Sequence, residues 1–545
     1  MQRRIRQARI RALLEHRVQR SPESELEMSI RTKVFRNMYQ DSVSLMQISA
    51  RISALPDIEQ ASVAMGTETN LAQLRDANLD DGVKAGPNDL VIAVRGGDTA
   101  CDAALTLAEE ALSAKPQESG GDGIRPPPLV SLEMAAEQEK ASNLALISVP
   151  GDYAAAEATK ALHLGMSVML FSDNVSLEHE REIKTLARDK NLLVMGPDCG
   201  TAIINGMPLG FANVVRRGAI GVVAASGTGL QEVTSRIDQL GAGISQALGT
   251  GGHDLHEAIG GISMLYGLDA LAQDPDTKVI VLISKPPAPA VAEKILTRAR
   301  AAGKPVVVNF LGAKASEMNV FGITPAHTLA DAAGYAVALL AGTALPESVA
   351  AVAAPDAKRL DEYSRTMPPI RRFVRGVFAG GTFCYESQLL LRERGFEASS
   401  NTPVAQNKKL DDIWHSFAHT LVDMGDDDFT RGRPHPMIDP TLRNQRVLAE
   451  LNDAQTAVVL FDLVLGYGAS MDPATELLAL IEHARLQAAG RDLPVLISHV
   501  CGTQADPQVR SRQVDILREA RVLVAGCNAQ AALWASHIAQ IQAQK

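Results

Sequence analysis

Ser226-Gly-Thr-Gly229 follows the apolar run Ile220–Ala224 and opens a helical pattern through Leu230, Val233 and Ile237. Small residues in such a turn let the backbone approach a ligand. The unsatisfied N–H groups of the helix's first turn, with the positive end of its dipole behind them, suit an anion. The same turn serves equally as a strand-to-helix junction capped by a Ser or Thr hydroxyl, with no ligand. What favours the anion is an echo downstream, where Phe373–Ala379 runs into Gly380-Gly-Thr382 and another helix. Two such termini facing each other would clamp a phosphate group, with Ser226, Gly227, Thr228 and Gly229 on one side and Gly380, Gly381 and Thr382 on the other.

Three further side chains could act on a ligand there. Lys285 follows the strand Lys278–Ile283 and would add positive charge; a solvated lysine before a double proline is the equal alternative. Arg433 and His435 lie in the unusual segment Asp423–Pro440, with five acids and two arginines, and could meet a substrate carboxylate or move a proton. An ion-paired loop packed on Asp426–Asp428 explains the same composition. Cys199 has no adjacent base to activate it and reads as a packed small residue. His253 and His256 share a helical face but lack a third ligand, so no metal site is expected.

The elements that must position these residues recur in one order. After the first turn come Leu248–Asp254, a helix, the strand Lys278–Ile283, a second helix and Lys304–Phe310. After the second come Val422–Asp428, a helix over Asn444–Leu451, the strand Thr456–Phe461, a helix over Ala474–Leu486 and Leu493–Ser498. One α/β unit is therefore present twice. Strands alternating with helices predict parallel sheets with ligands at the carboxyl ends of their strands. The region from Thr32 to Thr201 shows the same alternation and is expected to form one doubly wound domain.

A net charge of −10 argues against a nucleic-acid surface, and no apolar run reaches the length of a membrane span. Hydrophobic content of 46% with 4% aromatic describes cores of Ala, Val, Ile and Leu. Five scattered cysteines fit reduced thiols in a cytoplasmic protein. Met1–Arg20 carries seven arginines and one acid. It is not a secretory signal; we expect translation to start at Met28, with an organellar transit peptide the lesser alternative. The expected organisation is an extension over 1–30 (disordered or untranslated), domains over 31–213 and 214–345, a linker over 346–370 and a last domain over 371–545. Lys115–Pro128 is expected to be a Gly/Pro-rich linker or surface loop.

Leu144–Pro150, Val194-Met-Gly-Pro-Asp-Cys-Gly200, Gly221–Thr228 and Gly303–Val308 resemble the α subunit of succinyl-CoA synthetase. Phe373–Ala525 resembles the carboxyl-terminal domain of its β subunit. With Asp41-Ser-Val-Ser-Leu-Met46 in front and Gly432–Asn444 behind, the whole chain from about Thr32 is similar to the FdrA family. The resemblance implies an α/β fold of three parallel-sheet domains, a Rossmann-like CoA-binding-type domain followed by two flavodoxin-like ligase-type domains. It implies that the helices after Ser226–Gly229 and Gly380–Thr382 are the paired helices that hold a phosphorylated histidine in the synthetase. Here the loop expected to carry that histidine reads Leu311-Gly-Ala-Lys-Ala-Ser-Glu-Met-Asn319. Ser284-Lys-Pro-Pro287 replaces an expected glutamate, Tyr39-Gln-Asp-Ser42 replaces a Gly-rich CoA loop, and no ATP-grasp region is recognised.

The resemblance therefore implies a subunit of a carbamoyl or acyl transfer complex. The specific expectation is oxamate carbamoyltransferase, which interconverts oxalurate plus phosphate with oxamate plus carbamoyl phosphate in allantoin breakdown. Other subunits of that complex are the expected partners. An acyl-CoA synthetase needing a nucleotide-binding partner and a non-catalytic scaffold are the alternatives, so CoA or a nucleotide as cofactor stays open.

Overall fold

The structure is a computed structural model and describes residues 28–53, 55–80, 82–113, 129–319, 321–404, 406–431, 433–488 and 493–545. Most of the expected amino-terminal extension and the Lys115–Pro128 linker lie outside the described residues. Strand β1 (Met28–Phe35) already begins at Met28, so residues 28–30 belong to the fold and not to the extension.

The two copies of the α/β unit have one topology. The first contains β9 (Arg217–Ala224), β10 (Ile244–Gly249), β11 (Val279–Ser284), β12 (Val306–Phe310) and β13 (Thr324–Pro325). The second contains β14 (Phe373–Phe378), β15 (Thr420–Asp423), β16 (Thr456–Val464), β17 (Val495–Cys501) and β18 (Leu523–Ala525). Numbered within each copy, both run 2-1-3-4-5 in space, and every pairing among these strands is parallel. This is a flavodoxin-like order, whose switch point lies between strands 1 and 3. The helices Gly227–Gln239 and Gly381–Glu393 both start from strand 1, at that point. They pack together, and one buried cluster draws Leu230, Val233 and Ile237 from the first copy and Phe383, Leu390 and Leu391 from the second.

The α/β expectation with mostly parallel sheets holds for both copies; the region before them departs from it. Residues expected to make one doubly wound domain are divided among three sheets. The first is antiparallel: β3 (Leu90–Gly97) lies between β1 and β2 (Ile58–Met65), with Met28 opposite Gly97 and Met65 opposite Leu90. The helix Glu68–Asp76 after β2 is short. The chain then turns back through Asn78 and Gly82, both at positive φ, so β3 enters from the opposite end. A second sheet, β4 (Leu144–Ile147), β5 (Ser167–Leu170) and β6 (Val194–Met195), is parallel. The hairpin of β7 (Thr201–Ile204) and β8 (Met207–Gly210) joins the edge of the first copy's sheet beside β10.

A buried ion cluster fixes that second sheet to the first copy. Lys184 Nζ, fully buried, lies 2.8 Å from Glu180 and 2.9 Å from Asp254, whose carboxylate also accepts the Ser263 and Met264 N–H groups. The expected linker is likewise no loose tether, because its helix Ala354–Thr366 docks on the last helix, Asn528–Ala543. Arg359 stacks over Trp534, and His537 meets Asp361 at 2.8 Å. No helix among the described residues is long and apolar enough to cross a membrane.

Candidate functional site: two helix N-termini face to face

The apolar strand β9 ends at Ala224, and Ser226 caps the helix behind it by accepting the Gly229 N–H at 3.0 Å. The N–H groups of Gly227 and Thr228 have no partner among the described residues. The second turn solves the same problem differently. Gly380 has no side chain to cap with, and Asp462 on β16 reaches across to accept the N–H groups of Ala379 (2.7 Å) and Gly380 (2.8 Å). The N–H groups of Gly381 and Thr382 are again without a partner among the described residues. The two turns touch, with Ser226 Oγ and Thr382 Oγ1 2.5 Å apart. Two helix N-termini, each with two N–H groups unpartnered among the described residues, are therefore in contact, an arrangement whose dipole ends could take an anion.

Lys285 follows β11 at the same switch point. Its ammonium lies 5.7 Å from the Tyr385 ring, one turn into the second helix, and its charge acts on Asp423 and Asp426. Asp423, the last residue of β15, is 7% exposed and lies against Gly381, where an added methyl group would overlap its Oδ2. Its Oδ1 accepts the Gly425 N–H at 3.0 Å. Burial pushes this carboxyl up to about 7, against the pull of Lys285.

The remaining expected residues do not join the clamp. Arg433 turns away: its guanidinium bonds Gln60 Oε1 at 3.2 Å and lies 5.8 Å from the Trp414 ring. It ties the loop to the first sheet and does not pair with Asp426–Asp428. His435 sits behind Gly425, accepts the Met437 N–H at 3.2 Å, and is pushed down to about 4 by loss of solvent. Cys199 is buried, with its thiol pushed up to about 12 by that burial. His253 Nδ1 pairs with Glu180 at 3.4 Å.

Sequence reasoning missed Asp462 and gave Asp423 no role. The signal for Asp462 is plain in retrospect, since it is the one ionisable residue in the otherwise apolar strand Thr456–Val464. Each clamp helix also carries a buried glutamate at the same depth. Glu232 Oε2 meets His499 Nε2 at 2.6 Å. Glu386 instead accepts Leu329 N–H and Asn528 Nδ2, both at 2.8 Å.

Comparison with known proteins agrees with this architecture. A family described as CoA-ligase matches residues 377–538, a CoA binding domain matches 216–312, and an AllF, heavy metal-associated domain matches 28–126. The α subunit of ADP-forming succinate–CoA ligase from Aquifex aeolicus (strain VF5) is 28% identical over 175 residues, 30% of this chain and 55% of that subunit. The chain thus spans about half the length of that ligase subunit. An apo dinucleotide-forming acetyl-coenzyme A synthetase from Ca. Korarchaeum cryptofilum aligns over 74% of this chain and 83% of its own at 18% identity and a TM-score of 0.31. The two family matches make residues 216–312 and 377–538 CoA-binding-type and CoA-ligase-type domains, similar to those of the succinate–CoA ligase subunit. YahF of Escherichia coli (strain K12) is 42% identical over 512 residues, 93% of this chain and 98% of YahF. The chain belongs with it to the FdrA-like family, with an AllF-type domain at its front.

Among the described residues no three His, Cys, Asp or Glu side chains gather as ligands. The carboxylate in the loop after β1, Asp41, is occupied by the N–H (3.0 Å) and hydroxyl (2.6 Å) of Ser44.

Proposed function

We propose that this chain is the phosphate-handling subunit of a carbamoyl transfer complex, interconverting oxalurate plus phosphate with oxamate plus carbamoyl phosphate in allantoin breakdown. The observation that carries the reading is the meeting of the two helix N-termini at Ser226 and Thr382, with unsatisfied N–H groups on Gly227, Thr228, Gly381 and Thr382. Phosphoryl and acyl phosphate chemistry rests on positioning and on charge stabilisation, which fixed N–H dipoles and the nearby Lys285 supply. The AllF-type match at the front supports a role connected with allantoin. The loop Leu311–Asn319 carries no histidine, so a phosphohistidine relay does not run through it. Partner subunits would bring the carbamoyl acceptor site, and the cytoplasm is the expected setting.

A second reading, an acyl-CoA synthetase that borrows nucleotide handling from a partner, is favoured by the CoA binding domain match over 216–312. The Gly227 and Thr228 N–H groups would suit a CoA phosphate as well as a free one. Thermal unfolding of the full chain with phosphate, carbamoyl phosphate and CoA added separately tells these apart, because a ligand selective for the native state raises the midpoint. A rise with phosphate or carbamoyl phosphate but not with CoA is the expected result. A rise with CoA alone would overturn the transferase reading. In the assembled complex, Gly381→Glu should abolish turnover while assembly persists.

A further inference from the structure

Beside its unsatisfied N–H groups, the clamp holds a carboxylate oxygen that has no partner among the described residues. Asp462 spends both carboxylate oxygens on the N–H groups of Ala379 and Gly380. Asp423 spends only Oδ1, on Gly425. Its Oδ2 has no hydrogen-bond partner among the described residues; the residue is only 7% exposed, and this oxygen lies against the first residue of the Gly381–Glu393 helix. An ionised carboxylate there would compete with any anion for the same dipole end and the same N–H groups. A neutral carboxyl would instead add an O–H donor to them.

We infer that Asp423 is the proton-carrying ligand of the clamp: neutral, it donates a hydrogen bond from Oδ2 to an oxygen of the bound tetrahedral dianion, and ionised, it expels that dianion. The inference rests on the phosphate-clamp reading above. The charged and titratable groups facing Asp423 are Lys285 from the loop after β11, Asp462 from β16, Cys384 on the second clamp helix and Asp426 in its own loop; His435 is packed on Gly425. Burial outweighs Lys285 and holds the carboxyl at about 7, so the switch falls close to neutrality. The sign follows directly. The binding form is the protonated one, so affinity is full below that value and is lost as pH rises through it.

The test uses the full chain and inorganic sulfate, which stays a dianion through this range, so that any pH dependence belongs to the protein. Calorimetric titration should show affinity falling about tenfold per pH unit above 7, with close to one proton taken up per sulfate bound at pH 8. Asp423→Asn keeps the shape and an amide donor, and should bind sulfate with a flat pH profile. If Asp423→Asn keeps the native slope, another group is the proton carrier and the inference is overturned. If the native chain takes up no proton, it is overturned without any variant, which covers the case where the variant does not fold. If neither sulfate nor inorganic phosphate binds the native chain at any pH, the clamp reading fails first and the role of Asp423 with it.

Discussion

The turn after β9 caps its helix with a hydroxyl of its own, Ser226, whereas the turn after β14 takes its acceptors from Asp462 on a neighbouring strand. The next difference lies on strand 2 of each copy. Gly249 pairs with Ala224 in the first copy, and Asp423 occupies the corresponding place beside Phe378 in the second. The buried glutamates differ as well. Glu232 would be raised by burial, but the charge and hydrogen bond of His499 outweigh that and hold it below the usual range. Burial pushes Glu386, which has only amide donors, up to about 7. One backbone is thus used for two electrostatic tasks. The first copy keeps its dipole end open, and the second surrounds its own with carboxyl groups that burial drives towards the neutral form.

The comparison can be broken at several points. Glu232→Ala strips the partner from a buried His499 and should cost about 4 kcal/mol of unfolding free energy, measured by denaturant titration. Glu386 works in the opposite sense. Its folded carboxyl holds a proton that the unfolded chain releases at about 4.5, so stability falls as pH climbs from there to about 7. Glu386→Gln should remove that slope, at most about 3 kcal/mol across the window, as read from melting curves over pH. A methyl group at Gly381 overlaps Asp423, so Gly381→Ala should destabilise by about 2 kcal/mol. Gly227→Ala meets only Thr201 Oγ1 at 4.0 Å and should stay within about 0.5 kcal/mol of the native chain. Equal costs for the two glycines would remove the asymmetry. Ser226→Ala, which deletes a helix cap, should cost about 1 kcal/mol.

The repeat was legible because its punctuation is local: an apolar strand, a small-residue turn and a helix mark each copy, and the clamp glycines sit in those turns. The antiparallel first sheet was not, although the alternation of strands and helices in its region was recognisable. Strand direction depends on which end of the sheet the connection re-enters, and a helix followed by a turn is compatible with either end. Arg433 illustrates the same limit for a side chain. It lies in a loop continuous with the clamp, yet its partner Gln60 stands 373 positions earlier. Asp423 was visible as one acid among several, but what sets it apart is the burial of its carboxyl against Gly381, a tertiary fact with no local signature.

The connection between the copies carries a kinetic consequence. The chain leaving the first copy is pinned at once, as Asp331 accepts the Ser348 hydroxyl at 2.6 Å and the Val349 N–H at 2.8 Å. It is pinned again where Ser364 O accepts Gln542 Nε2 at 2.9 Å. The clamp halves are therefore held at high local concentration by one short tether, and their meeting is a first-order event. Dilution should neither open the clamp nor slow its formation.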